Sequence, residues 1–561
     1  MSKKNTDSQK LVETSEGVVD IGAIKKKLKK QQISLHIALT AVFLAICVGF
    51  KVDQNNALAN KEHIDGNIIR IGNDNGEAMG DVVVANPWRN ASFSEILLFR
   101  SLFLTDSTFT EINPSLAEKY EILPDGVTYV ITLREGQYWS DGETITVEDV
   151  LFSFEAFLRC TNVNSNLSAT FQRIVGATAY ANGEADTVTG LSLQGNTISI
   201  QLDSPYSNFA LLLTQFVPLP KHILEGEDVT TFTSGHEFFL NANPVCSGAF
   251  FVDYIDENNN VILSKNPYYT DEATEIDTVM MCWDYDNEVL DYYSTTDPTK
   301  MVSYNAMKGY EEHQVEVYFY RYFIFNLAGG DEGEPNTDMH DIKVRQAIYH
   351  AIDTESLMED IYFNKTTPVY GGSLELSQQL FEYNPTKARQ LLEEANYDFD
   401  RTFTIAYYSG DTSSRIMLET IAGYLEEVGL TVELKKASAA ELYAEPTYDM
   451  LLKNLSALNT EDWYNEYLST NANLSQLMGR EGEFDALIGD LTSTTDSVKY
   501  TGYMQDLVDL EQELLYKMPL FLLSDAVFIN SNRLEVPEDI VFGNTRYRTD
   551  QRLDEWFVLK E

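Results

Sequence analysis

Beyond residue 50 the chain carries six histidines, His63, His222, His236, His313, His340 and His350, and no two have the close spacing that a zinc site requires. His236-Glu237-Phe238-Phe239-Leu240 opens as a zincin helix does, but Leu240 stands where the second histidine would face the metal one turn on. There is no G-x-S-x-G elbow, no G-K-[ST] phosphate loop and no G-x-G-x-x-G turn. Catalysis needs a nucleophile with its base, or a metal cluster. Neither is visible, so the chain reads as a protein that is not an enzyme and takes no cofactor and no metal. Asp256-Glu257-Asn258-Asn259-Asn260 is rich enough in oxygen for a calcium turn, but the strand patterns around it favour a solvated hairpin. Of the four cysteines, Cys47 lies in an apolar run, which leaves Cys160, Cys246 and Cys282, and no C-x-x-C occurs. A Cys246–Cys282 bridge is compatible with an oxidising compartment; buried free thiols are the preferred reading.

Charge decides what these residues meet. The formal net charge is −47, residues 1–32 hold eight Lys against four Asp or Glu, and residues 33–50 hold none of these, so the body from 51 to 561 carries about −51. Such a body repels phosphate backbones, which excludes nucleic acid as a partner. With 44% hydrophobic and 23% charged residues the body is nonetheless of ordinary globular composition, and 561 residues call for two or three domains. The run from Ile33 to Phe50 is eighteen residues without a formal charge, close to the shortest helix that spans a bilayer. KKKLKK at 25–30 precedes it, and basic residues on that flank keep it in the cytoplasm. A retained transmembrane signal anchor is the preferred reading. Cleavage after Ala57-Leu58-Ala59 or lipidation of Cys47, behind a bulky Ile46, are the alternatives. All three place the body outside the membrane, at the cell surface.

The elements of the body alternate. Ile68 to Gly72 reads as a first strand, Glu95 to Leu104 as a helix, and Thr128 to Leu133 as a strand of alternating pattern. A helix ends the stretch Thr144 to Leu158, with Thr146 and Asp149 placed as a capping box. Hairpins are expected over Leu191 to Leu202, turning at Gln194-Gly195-Asn196, and over Ala249 to Ser264. Val315 to Asn326 is an aromatic strand. Val344, Ile348 and Ile352 line one face of a helix; Asn384-Pro385 caps another; Ser414 to Val428 is a third, closed by Gly429 before a strand at Leu430 to Leu434. This mixture is α/β.

The stretch Leu116 to Val150 resembles the signature of family 5 bacterial extracellular solute-binding proteins, the oligopeptide and dipeptide type. Ala117, Glu118, Asp125, Gly126, Tyr129, Leu133, Arg134, Asp149 and Val150 carry the match. Asn86-Pro87, Ser247-Gly248-Ala249-Phe250, Asn266-Pro267-Tyr268-Tyr269, Phe325-Asn326, Val344-Arg345-Gln346-Ala347-Ile348 and Ala351-Ile352-Asp353 continue it in order, so that it covers roughly 66–561. The resemblance implies a two-lobed periplasmic-binding-protein type II clamp with an extra small subdomain. Its expected division is a basic cytoplasmic tail over 1–32, the anchor over 33–50, a linker over 51–65, lobe I over 66–105 and 188–316, the small subdomain over 106–187, lobe II over 317–497, and a return to lobe I over 498–561. Most signature residues are expected to order the fold, Arg134 among them.

The family's mechanism implies that ligand binds both lobes only when a hinge closes, which shifts the population toward the closed state. It implies a peptide as the ligand, an ABC-transporter permease as the partner, membrane attachment through the N-terminal segment, and a monomer. By the same resemblance Asp462, which follows the strand opened by Tyr448-Asp449, is the residue expected to meet a peptide amine, and Trp463, Trp88 and Asn86 are expected at the cleft. Tyr320 and Tyr322 share one side of their strand, near the hinge or in the core. The competing readings are a carrier for an oligosaccharide or a metal chelate, and a membrane-anchored sensor that reuses the clamp. Scarce histidines weigh against nickel.

Overall fold

The computed structural model describes residues 11–14, 17–20 and 67–559, the last with interruptions of one to twelve residues. The expected span 33–50 and Cys47 lie outside the described residues, as do Asn258 and Asn259. Among the described residues no helix is long and apolar enough to cross a membrane.

Two sheets form the two lobes. The first has seven strands in the order Phe250–Ile255, Val261–Lys265, Thr278–Cys282, Ile68–Asn73, Tyr292–Thr295, Asp525–Asn530 and Tyr310–Val315. Ile68–Asn73 is flanked by parallel neighbours on both sides, and the outer strands are antiparallel. The second has six strands, Thr366–Pro368, Lys517–Leu523, Tyr318–Phe325, Met450–Ala457, Thr402–Tyr407 and Thr431–Lys436. Tyr318–Phe325 and Lys517–Leu523 are buried along almost their whole length, as befits central strands covered on both faces. Tyr310–Val315 and Tyr318–Phe325 lie in different sheets, as do Lys517–Leu523 and Asp525–Asn530, so the chain passes between the two lobes at these two places.

A four-stranded sheet, Ala117–Ile122, Thr128–Leu133, Thr197–Gln201 and Leu191–Gln194, makes the small subdomain. In Thr128–Leu133 Tyr129, Ile131 and Leu133 are buried in alternation, the pattern its sequence predicts. Helix Val147–Arg159 starts where the capping box expects it: the Asp149 carboxylate accepts from the Thr146 amide (2.8 Å) and also from the Lys221 amide (2.9 Å). Asp125 accepts from the amides of Val127 and Thr128 (3.0 Å each), which closes the Asp-Gly turn. Arg134 pairs with Asp271 (2.8 Å), and Asp271 also holds Arg100 (2.6 Å). These signature residues therefore hold the framework.

Three expectations shift. The hairpin 191–201 pairs with Thr128–Leu133, so the small subdomain draws on residues beyond the expected limit of 187. Strand Lys517–Leu523 belongs to the six-stranded sheet, which moves the return to lobe I from 498 to the crossing after 523. The helix expected over 95–104 is Phe93–Leu98, followed by strand Phe103–Thr105. That strand pairs antiparallel with Ile112–Pro114, and the Leu102 amide bonds the Phe216 carbonyl (3.2 Å), so tertiary pairing overrides helical periodicity. Cys160, Cys246 and Cys282 are all buried, the first two as free thiols, and burial pushes the Cys246 thiol up to about 12. Gly248 explains its motif: a β-carbon there would overlap the Leu97 carbonyl. The Gly248 carbonyl in turn accepts from the Asn266 side chain (2.9 Å), tying the Ser-Gly and Asn-Pro motifs together.

Candidate functional site

Helix Thr460–Asn465 stands just past the hinge-proximal end of strand Met450–Ala457 and presents two adjacent carboxylates where the lobes meet. Asn459 caps it through the Asp462 amide (3.3 Å), and the Asp462 carboxylate reaches back to the Leu458 amide (2.8 Å). Asp462 is thus locked to its own helix terminus while lying on the seam. Burial pushes Asp462 up to about 6, with the charge of Glu466 adding to it. Burial likewise pushes Glu461 up to about 7, and Asp462 adds to that.

The opposite wall comes from 206–208, just past the small subdomain's hairpin. Asn208 donates its side-chain amide to Glu461. The Ser207 amide and hydroxyl both donate to the Thr492 carbonyl (2.9 and 3.0 Å) at the end of helix Asp485–Ser493. Burial raises the Tyr206 phenol, and the charges of Asp462 and Glu461 raise it further. The Tyr547 hydroxyl donates to the Ser456 carbonyl. Beside the hinge, Lys365 of lobe II grips both oxygens of Glu312 in lobe I (2.7 and 2.9 Å).

Beneath the acid pair lies a buried polar lattice within lobe II. Glu511 accepts from Trp463 Nε1 (2.5 Å) and the Tyr467 hydroxyl (2.8 Å) on one oxygen, and from the Tyr464 hydroxyl (3.1 Å) and Gly372 amide (3.0 Å) on the other. Glu466 binds the ammoniums of Lys453 (2.6 Å) and Lys517 (2.8 Å). Burial alone would raise Glu466, but the two lysines outweigh it and hold the carboxyl at about 2. Burial lowers Lys517 to about 8 against the pull of Glu466. Its ammonium also sits 4.0 Å from the Trp463 ring centroid, a favourable cation–π placement.

The structure brings four of the expected residues together. Trp463 shares its helix with Asp462, and the Tyr320 and Tyr322 rings pack on Trp463 at 4.7 and 4.6 Å. All three rings are fully buried, with the Tyr320 hydroxyl on the Gly372 carbonyl (2.7 Å) and the Tyr322 hydroxyl on Glu466. Asn86 and Trp88 sit elsewhere. Asn86 donates to the Asn162 and Phe232 carbonyls (3.0 and 2.7 Å), and Trp88 Nε1 donates to the Val217 carbonyl (2.7 Å), both fully buried against helix Val147–Arg159 and the segments that follow it. Tyr206, Asn208, Glu461 and Glu511 are absent from the sequence-derived set. Glu511 leaves a trace, a carboxylate on the same helical face as Leu507 and Val508; the approach of 206–208 to Glu461 leaves none.

Two sheet lobes, two passages of the chain between them and polar groups converging across the seam define a ligand clamp of the periplasmic-binding type. Residues 111–476 match the family model "Bacterial extracellular solute-binding proteins, family 5 Middle". The chain belongs to this family of extracellular solute-binding proteins, the substrate-capturing components of ABC importers. It is similar to YgiS of Escherichia coli (strain K12), described as a probable deoxycholate-binding periplasmic protein, at 26% identity over 80% of this chain and 88% of that one. It is similar to the oligopeptide-binding protein AppA of Bacillus subtilis (strain 168) at 22% identity over 96% and 100%. The structure of that AppA in complex with a nonapeptide superposes with TM-score 0.68 at 19% identity, covering 88% of this chain and 99% of that one. NikZ from Campylobacter jejuni in complex with Ni(L-His) gives TM-score 0.68 at 20% identity over 88% and 100%.

Proposed function

We propose that the chain captures a peptide between its lobes and delivers it to the permease of an ABC importer, with the peptide's α-ammonium at Asp462 and its neighbour Glu461. The observation that carries this reading is the buried acid pair on the seam, whose elevated pKa values arise first from burial. Two desolvated carboxylates gain most from a ligand that brings a positive charge. An anionic solute would meet the same two charges and be repelled. Peptide main chain suits the backbone groups that line such a seam, since strand-like hydrogen bonds favour no side chain. Trp463, Tyr320 and Tyr322 serve as the packed floor that fixes the acid helix. Asn86 and Trp88 support the framework at a distance. In the same reading residues 33–50 hold the clamp at the outer face of the membrane, and the clamp acts as a monomer that performs no catalysis.

The test is native mass spectrometry of the purified protein before and after denaturing release of bound material, followed by calorimetric titration of the released species. Peptides of narrow length are expected. Asp462→Asn is expected to weaken their binding by roughly 30-fold or more, the scale of removing one partner of a buried charge pair. Release of a sugar or a metal chelate, or an unchanged affinity in the variant, refutes the reading.

A further inference from the structure

Away from the seam, lobe II contains a cavity of about 100 Å³ between the end of helix Ile342–Ala351, the segment 369–383 and the end of helix Ser497–Leu514. Its wall carries aromatic rings, among them Tyr349, Tyr370 and Phe381, and three acids: Asp353, whose carboxylate holds the Ser356 amide and hydroxyl, Glu511, whose carboxylate holds the lattice beneath the seam, and the exposed Glu355. None of the described residues lining it is Lys, Arg or His. The Tyr349 and Phe381 rings stand 4.7 Å apart, inclined at 36°. Tyr370 and Leu380, 41% and 52% exposed, form an open rim.

The neighbouring bases are committed elsewhere. Arg345 spends its guanidinium on the carbonyls of Met339, His340 and Leu514. His350 turns Nδ1 to the Glu382 carbonyl (2.7 Å) and stands edge-on to Phe381. Lys517 offers this side only its carbonyl, to the Tyr349 hydroxyl (2.6 Å), while its ammonium points to Glu466.

Ring faces and carboxylates both carry negative potential, so the cavity favours a positive guest. Its wall also includes Ile352, Val369, Leu515 and Leu520, which cannot replace the hydration shell of a metal ion but suit alkyl groups. A sealed cavity of roughly 150 Å³ holds a benzene-sized guest, so this half-open one has room for a small head group whose remainder extends into solvent. We propose that this cavity is a second ligand site, for an organic ammonium head group, distinct from the seam between the lobes. Glu511 borders it and at the same time holds Trp463 on the helix of Asp462, so the two sites share one carboxylate. The proposal does not depend on the seam accepting peptides.

The test is a ligand-observed NMR titration of the full chain with choline chloride and, separately, with its uncharged carbon isostere dimethylbutanol. Saturable broadening of the choline trimethylammonium signal is expected, with affinity about tenfold above the isostere's, the upper range of a desolvated cation–π contact. Phe381→Leu and the exposed Glu355→Gln should each weaken choline about threefold or more and leave the isostere unchanged, while Asp462→Asn should leave choline unchanged. Glu355→Gln alone serves if Phe381→Leu proves unfolded in a thermal melt. Absence of saturable choline binding, equal affinity for the isostere, or loss of choline in Asp462→Asn but not in the cavity variants overturns the proposal. The last outcome would assign the cation to the seam.

Discussion

The acid pair ties stability and capture to pH in opposite directions. In the native protein Glu461 is raised from 4.5 to about 7 and Asp462 from 3.8 to about 6, chiefly by burial. A raised native pKa means that the folded, empty clamp holds the proton more tightly than the unfolded chain does. The resulting stabilisation is complete below the unfolded values and is lost as pH climbs through 6 and 7. Between pH 8 and pH 5 linkage assigns about 1–3 kcal/mol to each group, and about 3 kcal/mol to the pair because adjacent titrations are coupled and do not add. For a cooperative unit of lobe size that is about 6–12 °C in melting temperature. The net charge of −47 also destabilises the protein at high pH, so the informative quantity is a difference between proteins. The double variant Glu461→Gln, Asp462→Asn should melt above the native chain at pH 8, and the gap should close toward pH 5. Scanning calorimetry of both proteins across this range is the assay. Parallel melting curves would show that the pair is solvated, and would refute the assignment of burial as the dominant cause. A peptide ammonium reverses the trend, because it binds the ionised pair; affinity should rise from pH 5 to about pH 7 and level off as the free α-ammonium, with a pKa of about 8, begins to lose its proton.

Further outcomes follow from the lattice and the framework. Glu511→Ala leaves the Trp463 indole, two tyrosine hydroxyls and the Gly372 amide without their acceptor, and should cost about 3–5 kcal/mol in denaturant unfolding, with Glu511→Gln costing less. Gly248→Ala drives a methyl group into the Leu97 carbonyl and should cost about 3 kcal/mol; a melting temperature equal to the native protein's would show that the backbone yields.

The framework was legible in the sequence because its signals are local. Alternation in Thr128–Leu133, the Thr146–Asp149 capping box, Asn384 accepting from the Lys387 amide (3.0 Å), and Gly429 with φ of 101° ending a helix each depend on a few consecutive residues. The family signature adds to this, since Asp125, Arg134, Asp149 and Gly248 do framework work. Asp462 and Trp463 are consecutive positions after a recognisable strand, and the structure places both, buried, on one helix. Tertiary structure alone decided the rest. Strand Lys517–Leu523 joins the lobe II sheet through pairing with a strand about 200 residues away in sequence, and nothing local announces that partner. The end of the helix expected over 95–104 yielded to a strand that pairs with Ile112–Pro114, with the Leu102 amide on the Phe216 carbonyl. Asn208 meets Glu461 across 253 positions, and Glu511 meets Trp463 across 48. Burial, which sets the pKa values of the seam, belongs to no residue by itself: it arises when the lobes exclude water from side chains that the sequence shows only as two acids in a run of polar residues.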